Sequence, residues 1–531
     1  MTGPLRSPLL SIDQLRTWLI TDNGPVRAVD GLSLTINRGE TFALLGESGC
    51  GKSITALSVM RLLPEAGRII SGGIRLEGLD LLALPELEMR RVRGSRIGMI
   101  FQEPMLSLNP VMTVGDQIAE VLRQHLKIPK GEISRKGLEL LESVGLPDAS
   151  RQQGAYPFQL SGGQKQRVMI GMALACGPDL LIADEPTTAL DVTIQAQILE
   201  LLREEQRKRS LSILLITHDL GVVSEMAHRV AVMYAGQIVE TAPRDLFFSG
   251  PGHPYSRKLF ASVPTRVKRG QNLSIIRGAV PSLSEAFPGC RFRERCDAAL
   301  KQCRTEPPPW YESAPGQGVR CHLYGSGKGK SVSSVPGGAD GQGEKIRVQE
   351  GRKVLPDSSG SEGALLSVDR LKIHFPIRKG LLKRTVGQIK AVDGVSFSVP
   401  PGKTLALVGE SGCGKTTVAK GILGLIPTTD GSVRFQEKEL RQLKPSEFRP
   451  LRRYLQIIFQ DPFSSLNPRM RVREIIEEGM TALGVGSGNE DRDERIDRLL
   501  TETGLPVEVQ QRYPHEFSGG QRQRIAIARA L

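Results

Sequence analysis

The chain has 531 residues, 39% of them apolar, which is too long for a single core and suggests about three domains on the usual scale of roughly 150 residues each. Seven cysteines in that length, with Asp13 interrupting the short apolar patch Leu9–Ile12, argue against a disulfide framework and a secretory leader and for a reducing compartment. The net charge of +14 comes from dispersed Lys and Arg, with aromatics at only 5% and no arginine-rich tract, so charge alone does not choose between nucleic acid and an anionic membrane surface; no apolar run approaches the ~20 residues that span a bilayer, and any membrane role is expected to be peripheral.

Residues 10–45 alternate apolar and polar positions, with turn signals at Asp22-Asn23-Gly24 and Asn37-Arg38-Gly39, and predict antiparallel strands. Trp18 is open to two readings, a stacking surface for an aromatic ring or a buried strand residue. The apolar run Thr41–Leu45 then leads into GESGCGKS, residues Gly46, Glu47, Ser48, Gly49, Cys50, Gly51, Lys52 and Ser53, and into a helix-compatible stretch from Ile54 to Leu63. This strand, glycine loop and helix satisfy every position of the phosphate-cradling pattern G-x-x-x-x-G-K-[ST]. Glycines let the loop wrap an anion so that backbone N–H groups and the helix N-terminus face the phosphates. Lys52 is placed for the β and γ phosphates and Ser53 for magnesium. A second copy, GESGCGKT, comprises Gly409, Glu410, Ser411, Gly412, Cys413, Gly414, Lys415 and Thr416.

Further on, Met99–Gln102 reads as an apolar strand ending in glutamine, and Ile457–Gln460 repeats it. A lone strand-end glutamine is usually a polar cap; its recurrence points to a magnesium or water contact for Gln102 and Gln460. Apolar residues at helical spacing run from Val114 to Val144, for which core packing is sufficient. Ser161, Gly162, Gly163 and Gln164 of LSGGQ open a helical run, and Ser518, Gly519, Gly520 and Gln521 of FSGGQ do the same; each is an anion site in the making. In LLIADEP, Leu180–Ala183 predicts a buried strand with Asp184 and Glu185 at its end, suited to magnesium ligation and to polarising an attacking water. TALD follows, Thr188–Asp191, and then the strand Ile213–Thr217 with His218 at its end, a candidate γ-phosphate contact. Glu185, His218, Gln102 and Asp191 are the candidate catalytic set.

In their order and spacing these motifs resemble the ATPase subunit of an ABC transporter over essentially the whole chain. The resemblance implies an α/β fold of tandem P-loop domains, each with a RecA-like core, an antiparallel β subdomain and a helical subdomain. It also implies two domains paired head to tail, a pseudo-dimer within one chain, with each ATP between the phosphate loop of one and the SGGQ helix of the other. In the first site Ser518–Gln521 would then cap the nucleotide and Glu185 serve as general base; in the second, Lys415, Thr416 and Gln460 would be capped by Ser161–Gln164.

Between the repeats lie His253-Pro254-Tyr255, Pro281-Ser282-Leu283 and a block with Cys290, Cys296, Cys303 and Cys321. This is similar to the C-terminal extension of dipeptide and oligopeptide importer ATPases, whose relatives include glutathione and nickel importers. The cysteine spacings are not the close pairs of structural zinc; a four-thiolate iron–sulfur cluster and simple packed thiols both stay open. Cys176 is expected to pack. Expected domains are residues 1–250, an extension at 251–324, a Gly/Ser-rich linker at 325–362 with a reach of roughly 35 Å, and a second ATPase domain at 363–531. In that last domain His374 or Phe375 is the candidate adenine contact. The acidic pair of the second repeat falls beyond Leu531, so this half is expected to be truncated and its native folding is in doubt. The resemblance implies two membrane permease subunits and, through them, an extracytoplasmic solute-binding protein, at the cytoplasmic face of the membrane, without nucleic acid. A soluble tandem ABC protein acting on ribosomes or DNA is the alternative; such proteins usually carry long charged helices where this chain has HPY and a cysteine block.

Overall fold

The computed structural model describes residues 8–22, 24–102, 107–188, 190–264, 274–325, 363–379, 384–410, 412–461, 465–485 and 489–531. Ser411 and nearly all of the expected linker lie outside the described residues. The chain divides into two units, Met1–Lys345 and Ile346–Leu531.

In the first unit β1 (Leu10–Thr21), β2 (Gly24–Ile36), β4 (Gly67–Leu76) and β5 (Leu79–Asp80) form an antiparallel sheet in the order β2-β1-β4-β5. Its first two strands pair up to Thr21 opposite Gly24, where Gly24 sits at φ 102°. The central sheet contains β3 (Thr41–Leu45), β6 (Ile97–Ile100), β7 (Leu180–Asp184), β8 (Ser212–Thr217), β9 (Arg229–Tyr234), β10 (Gln237–Pro243), β11 (Trp310–Ala314) and β12 (Gln317–Arg320). Its order is β11-β12-β10-β9-β3-β8-β7-β6, and the five strands from β9 to β6 are parallel. Parallel strands are covered on both faces, which is why TFALL, LLIAD and SILLIT are near-continuous apolar runs rather than alternating ones.

The two faces fill different cores. Leu214 and Ile216 of β8 pack with Leu10, Leu15, Leu32 and Ile36 of the antiparallel sheet. Ile213 and Leu215 pack with Ile170, Leu199 and Leu202 of the flanking helices. Of those helices, Gly162–Leu174 runs toward β7 and Val192–Arg209 leads into β8. The expected helical stretch Val114–Val144 is two helices, Val114–His125 and Lys130–Ser143, because Pro129 lacks the N–H that would continue the first. The phosphate-loop helix is Lys52–Met60, shorter than expected, ending where Arg61 turns left-handed at φ 50°. The strand before Gln102 is Ile97–Ile100, so the glutamine stands two residues past the strand rather than at its last position.

The extension continues the same sheet, since β12 pairs with β10 and β11 with β12. Its attachment is polar and buried: Glu240, fully buried in β10, accepts from the N–H groups of Gly252 (2.7 Å) and His253 (2.8 Å) and from the Gln317 amide (2.8 Å). His253 Nδ1 in turn accepts from Tyr255 N–H at 3.0 Å and caps the helix Pro254–Ser262, with Pro254 at the position where a missing N–H costs nothing. Burial holds the His253 imidazole down at about 3, so it is neutral and free to accept.

Among the described residues the second unit has one sheet, β14-β13-β15-β16, built from β13 (Leu366–Lys379), β14 (Arg384–Val399), β15 (Asp430–Phe435) and β16 (Lys438–Glu439). A helical core surrounds Ile475, Ile476, Leu500 and Ile525. The expected strand Ile457–Gln460 does not form here, and the run Leu405–Val408 before the second loop forms none either: Leu405, Leu407 and Val408 are 46%, 45% and 89% exposed and Ile458 is 50% exposed. In the first unit β3 is covered by β8 and β9; within residues 363–531 the run Leu405–Val408 has no such neighbours.

Candidate functional site

The first phosphate loop leaves the buried end of β3 and turns into the Lys52–Met60 helix. Gly49 and Gly51 sit at φ 80° and 108°, conformations that L side chains avoid, and a Cβ on Gly51 would strike the Ala28 carbonyl. Gly46 packs as closely against the Met233 carbonyl. Cys50 is buried, its thiol pushed up by burial, while Ser48 and Gly49 face solvent. Lys52 is 5% exposed, and its ammonium donates to the carbonyls of Gly46 (2.8 Å) and Glu47 (2.9 Å), poised over the loop.

Asp184 ends β7 at 4% exposure, and its Oδ1 has no hydrogen-bond partner. Burial pushes its carboxyl up to about 6, against the pull of a hydrogen bond from Ser53. A buried carboxylate oxygen left unpartnered beside a hydroxyl, at the mouth of an anion-cradling loop, is a donor set that fits a hard divalent cation. Among the described residues no set of three His, Cys, Asp or Glu side chains could hold a metal ion by itself. The Asp184–Ser53 pair suits an ion such as magnesium that takes its remaining ligands from phosphate and water.

Glu185 adopts φ 48°, left-handed for a residue with a Cβ. That strained backbone aims its carboxylate into a set of three side chains. Thr188 Oγ1 donates to Oε2 at 2.8 Å, Gln102 Nε2 reaches the same oxygen at 3.3 Å, and His218 Nδ1 lies 3.1 Å from Oε1. The hydrogen bond with His218 holds Glu185 below its ordinary value and raises His218. The Lys52 charge acts on Asp184, Glu185 and His218 alike, so loop, acid pair and histidine share one site. The structure thus brings Gln102, Glu185 and His218 together. Asp191 instead caps the Val192–Arg209 helix, Oδ1 accepting from Ile194 N–H at 2.9 Å.

Ser161 and Gln164 form a reciprocal cap on the Gly162–Leu174 helix: Gln164 N–H donates to Ser161 Oγ at 3.3 Å and Ser161 N–H to Gln164 Oε1 at 2.9 Å. Ser518 and Gln521 repeat this on Gly519–Ala530. Gly163 lies against Ile194, while Gly162, Gly519 and Gly520 face solvent. In the second loop Lys415 donates to the carbonyls of Gly409 (2.7 Å) and Glu410, with Gly412 and Gly414 at φ 83° and 98°. Cys413 and Gln460 are exposed, and Thr416 begins the helix Lys415–Ile422 one residue in. Trp18 is half-buried with the Arg27 guanidinium 5.5 Å from its ring centroid; His374 is bound to Asp393, and Phe375 is 40% exposed.

All four extension cysteines are free thiols, Cys303 and Cys321 buried and Cys290 and Cys296 half-buried. Cys290 N–H donates to the Cys303 carbonyl at 2.8 Å. Burial pushes the Cys290 and Cys321 thiols up to about 11, and the other cysteines add to the rise at Cys321. Sequence reasoning did not anticipate Thr188 at the acid pair, nor the grip of Tyr255 and Arg295 on Glu47: Tyr255 Oη accepts from Glu47 N–H at 3.0 Å, and Arg295 pairs with its carboxylate at 3.0 Å. The HPY motif was the available signal for Tyr255, since a histidine cap and Pro254 fix where its ring emerges.

Residues 29–188 and 392–531 match the ABC transporter family, and residues 239–303 match the oligopeptide/dipeptide transporter C-terminal region. The oligopeptide transport ATP-binding protein OppD of Mycobacterium tuberculosis is 42% identical over 528 residues, covering 99% of this chain and 84% of that protein. The glutathione import ATP-binding protein GsiA of Escherichia coli is 41% identical over 529 residues, covering 98% of this chain and 75% of that protein. Among solved structures, a dimeric ATP-binding cassette in a post-hydrolysis state with ADP and phosphate is 26% identical, covers 44% of this chain and 98% of its own, and superposes with a TM-score of 0.41.

Proposed function

The chain belongs to the ABC transporter family of ATP-binding proteins, and from that premise we propose how its residues divide the work of ATP hydrolysis that energises import. It is the ATP-binding, ATP-hydrolysing subunit of a peptide importer, with glutathione, the solute named for GsiA, as the alternative cargo. The loop amides from Gly46 to Ser53 and the Lys52 ammonium hold the phosphates. Ser53 and Asp184 would hold magnesium, with Gln102 as a further contact, and the ion would neutralise phosphate charge. Glu185 is the general base for the attacking water, and His218 and Gln102 contact the γ-phosphate and keep Glu185 ionised and oriented. Thr188 fixes the second oxygen of that carboxylate. The observation that carries this reading is the convergence of Gln102, Thr188 and His218 on Glu185 beside the Lys52 loop. Lys415, Thr416 and Gln460 would serve a second nucleotide in the same way, and the SGGQ helices offer their N-terminal amides to phosphate.

The test uses protons against metal. Because burial raises Asp184 from its ordinary 3.8 to about 6, the folded state gains a proton across that interval, and the contribution of this group to stability falls as pH rises through it. Magnesium needs the ionised form. Mg2+-dependent hydrolysis should therefore decline as pH falls through about 6, and the midpoint should move to lower pH as Mg2+ is raised. A midpoint indifferent to Mg2+ contradicts the assignment.

The partners are membrane permease subunits. None of the described helices is long and apolar enough to cross a membrane. An apolar groove of about 380 Å³, lined by Met99, Phe101, Leu108, Val121, Met169 and Met172, opens next to Gln102. Methionine-rich grooves adapt to a partner helix, so this is the seat we assign to the permease at the cytoplasmic face, which in turn meets an extracytoplasmic solute-binding protein. For the four cysteines we propose an iron–sulfur cluster. What supports it is four cysteines within one short stretch of the extension, with Cys290, Cys296 and Cys303 all acting electrostatically on Cys321. Anaerobically purified chain should contain iron and show charge-transfer absorbance that Cys303→Ser removes; iron-free, colourless protein contradicts this.

A further inference from the structure

Glu47, the second residue of the first phosphate loop, is gripped from the extension at two points. Arg295 makes a bidentate pair with its carboxylate, Nη1 to Oε1 at 3.0 Å and Nη2 to Oε2 at 3.1 Å. The hydroxyl of Tyr255 accepts its backbone N–H at 3.0 Å. Both gripping groups are rigidly held. Arg295 is 6% exposed at its side chain and also donates to the carbonyl of Arg277 at 3.0 Å and to Tyr234 Oη at 3.3 Å. Tyr255 is fully buried against Tyr234 and Phe292, with ring centroids at 4.7 and 5.3 Å.

A second route leads to the same loop. Arg291, just past Cys290, donates to the Asp30 carboxylate and to the Ala235 carbonyl, and the next residue along, Gly236, donates its N–H to the Cys50 carbonyl at 2.9 Å. Phe292 packs against both the Tyr234 and Tyr255 rings, with centroids at 5.2 and 5.3 Å. The short segment from Cys290 to Cys296 therefore bears on the loop at both Glu47 and Cys50. Glu410, the equivalent of Glu47 in the second loop, is exposed and has no ion pair among the described residues.

A phosphate loop binds by presenting backbone N–H groups in a fixed curve, and any freedom in that curve is lost on binding and subtracts from affinity. A bidentate arginine–carboxylate pair fixes orientation as well as distance. We propose that Arg295 and Tyr255 are positioning residues for ATP, holding the entrance of the first phosphate loop in its binding curve, so that the cysteine segment of the extension sets nucleotide affinity at this site. The inference rests on the reading of that loop as an ATP site. Because neither residue touches the reacting atoms, the effect falls on binding and not on the chemical step.

The experiment is an equilibrium titration of the full chain with a fluorescent ATP analogue, in a Lys415→Ala background that silences the second loop, paired with steady-state hydrolysis. Arg295→Gln should weaken binding about tenfold, the scale of a lost hydrogen bond to a charged group. Arg295→Lys should recover most of it, and the nearly isosteric Tyr255→Phe should cost about fivefold while keeping the packing. KM for ATP should rise with these changes and kcat at saturation should stay. Unchanged affinity in Tyr255→Phe and Arg295→Gln, or a fall in kcat at constant KM, overturns the proposal. Should Arg295→Gln not fold, Tyr255→Phe decides alone. Lys52→Ala separates the two levels: if it too binds normally, the reading of the loop as the ATP site fails, whereas loss in Lys52→Ala alone defeats only the inference.

Discussion

Replacing Glu185 by Gln is expected to lower ATP hydrolysis about 100- to 10,000-fold, the usual contribution of a general base, while nucleotide binding survives. The substitution preserves volume and the left-handed backbone at φ 48°, and the Thr188 hydroxyl can still donate to the side-chain oxygen. It removes the negative charge to which His218 is hydrogen-bonded at 3.1 Å. His218, raised by Glu185, should then titrate closer to its ordinary value of 6.5, which the pH dependence of its NMR signals would register. Phosphate release and equilibrium binding measured on the same protein separate a lost base from a lost fold. Full turnover by Glu185→Gln would remove Glu185 from the chemistry.

Lys52→Ala should act earlier, on binding itself. The ammonium is almost fully buried and hydrogen-bonds to the Gly46 and Glu47 carbonyls and, weakly, to the Cys50 sulfur, a buried cation that phosphate oxygens would satisfy far better. Loss of a preorganised charge of this kind costs about 100- to 1,000-fold where it faces developing phosphate charge. Its removal has a second consequence. Lys52 pulls the Asp184 carboxyl down against burial, so without it Asp184 should titrate higher still, and residual Mg2+-dependent activity should need a more alkaline pH. Binding of ATP by Lys52→Ala at wild-type affinity, with the second loop silenced, would rule out the first loop as the site.

Features confined to a few consecutive residues were legible in the sequence. A buried strand, a glycine loop and a helix after it are all local, though the helix starts at Lys52 rather than at the expected Ile54, and the Ser161 helix entry is local too. What depends on distant neighbours was not. Arg295 and Glu47 are 248 residues apart, and nothing around Cys296 signals that an arginine will reach the phosphate loop. Asp191 stands out by the motif it sits in; that its Oδ1 also caps the Val192–Arg209 helix depends on where that helix begins. The apolar run before Gln460 looked like the one before Gln102, yet a strand needs partners: Ile97–Ile100 pairs with Leu180–Ala183, and Ile457–Gln460 pairs with nothing among the described residues. Thr188 escaped notice because a threonine after a strand end is ordinary until Glu185 turns left-handed toward it.

The most direct test of the first loop and its Glu185 cluster as the hydrolytic centre is a single-turnover conversion of bound ATP to ADP by Lys415→Ala and by Lys52→Ala, side by side at saturating Mg2+. We expect Lys415→Ala to convert its nucleotide and to lose most of that ability when Glu185→Gln is added, with conversion by Lys52→Ala slowed about 100- to 1,000-fold. Conversion by Lys52→Ala at the wild-type rate, or conversion by Lys415→Ala that survives Glu185→Gln, would contradict it.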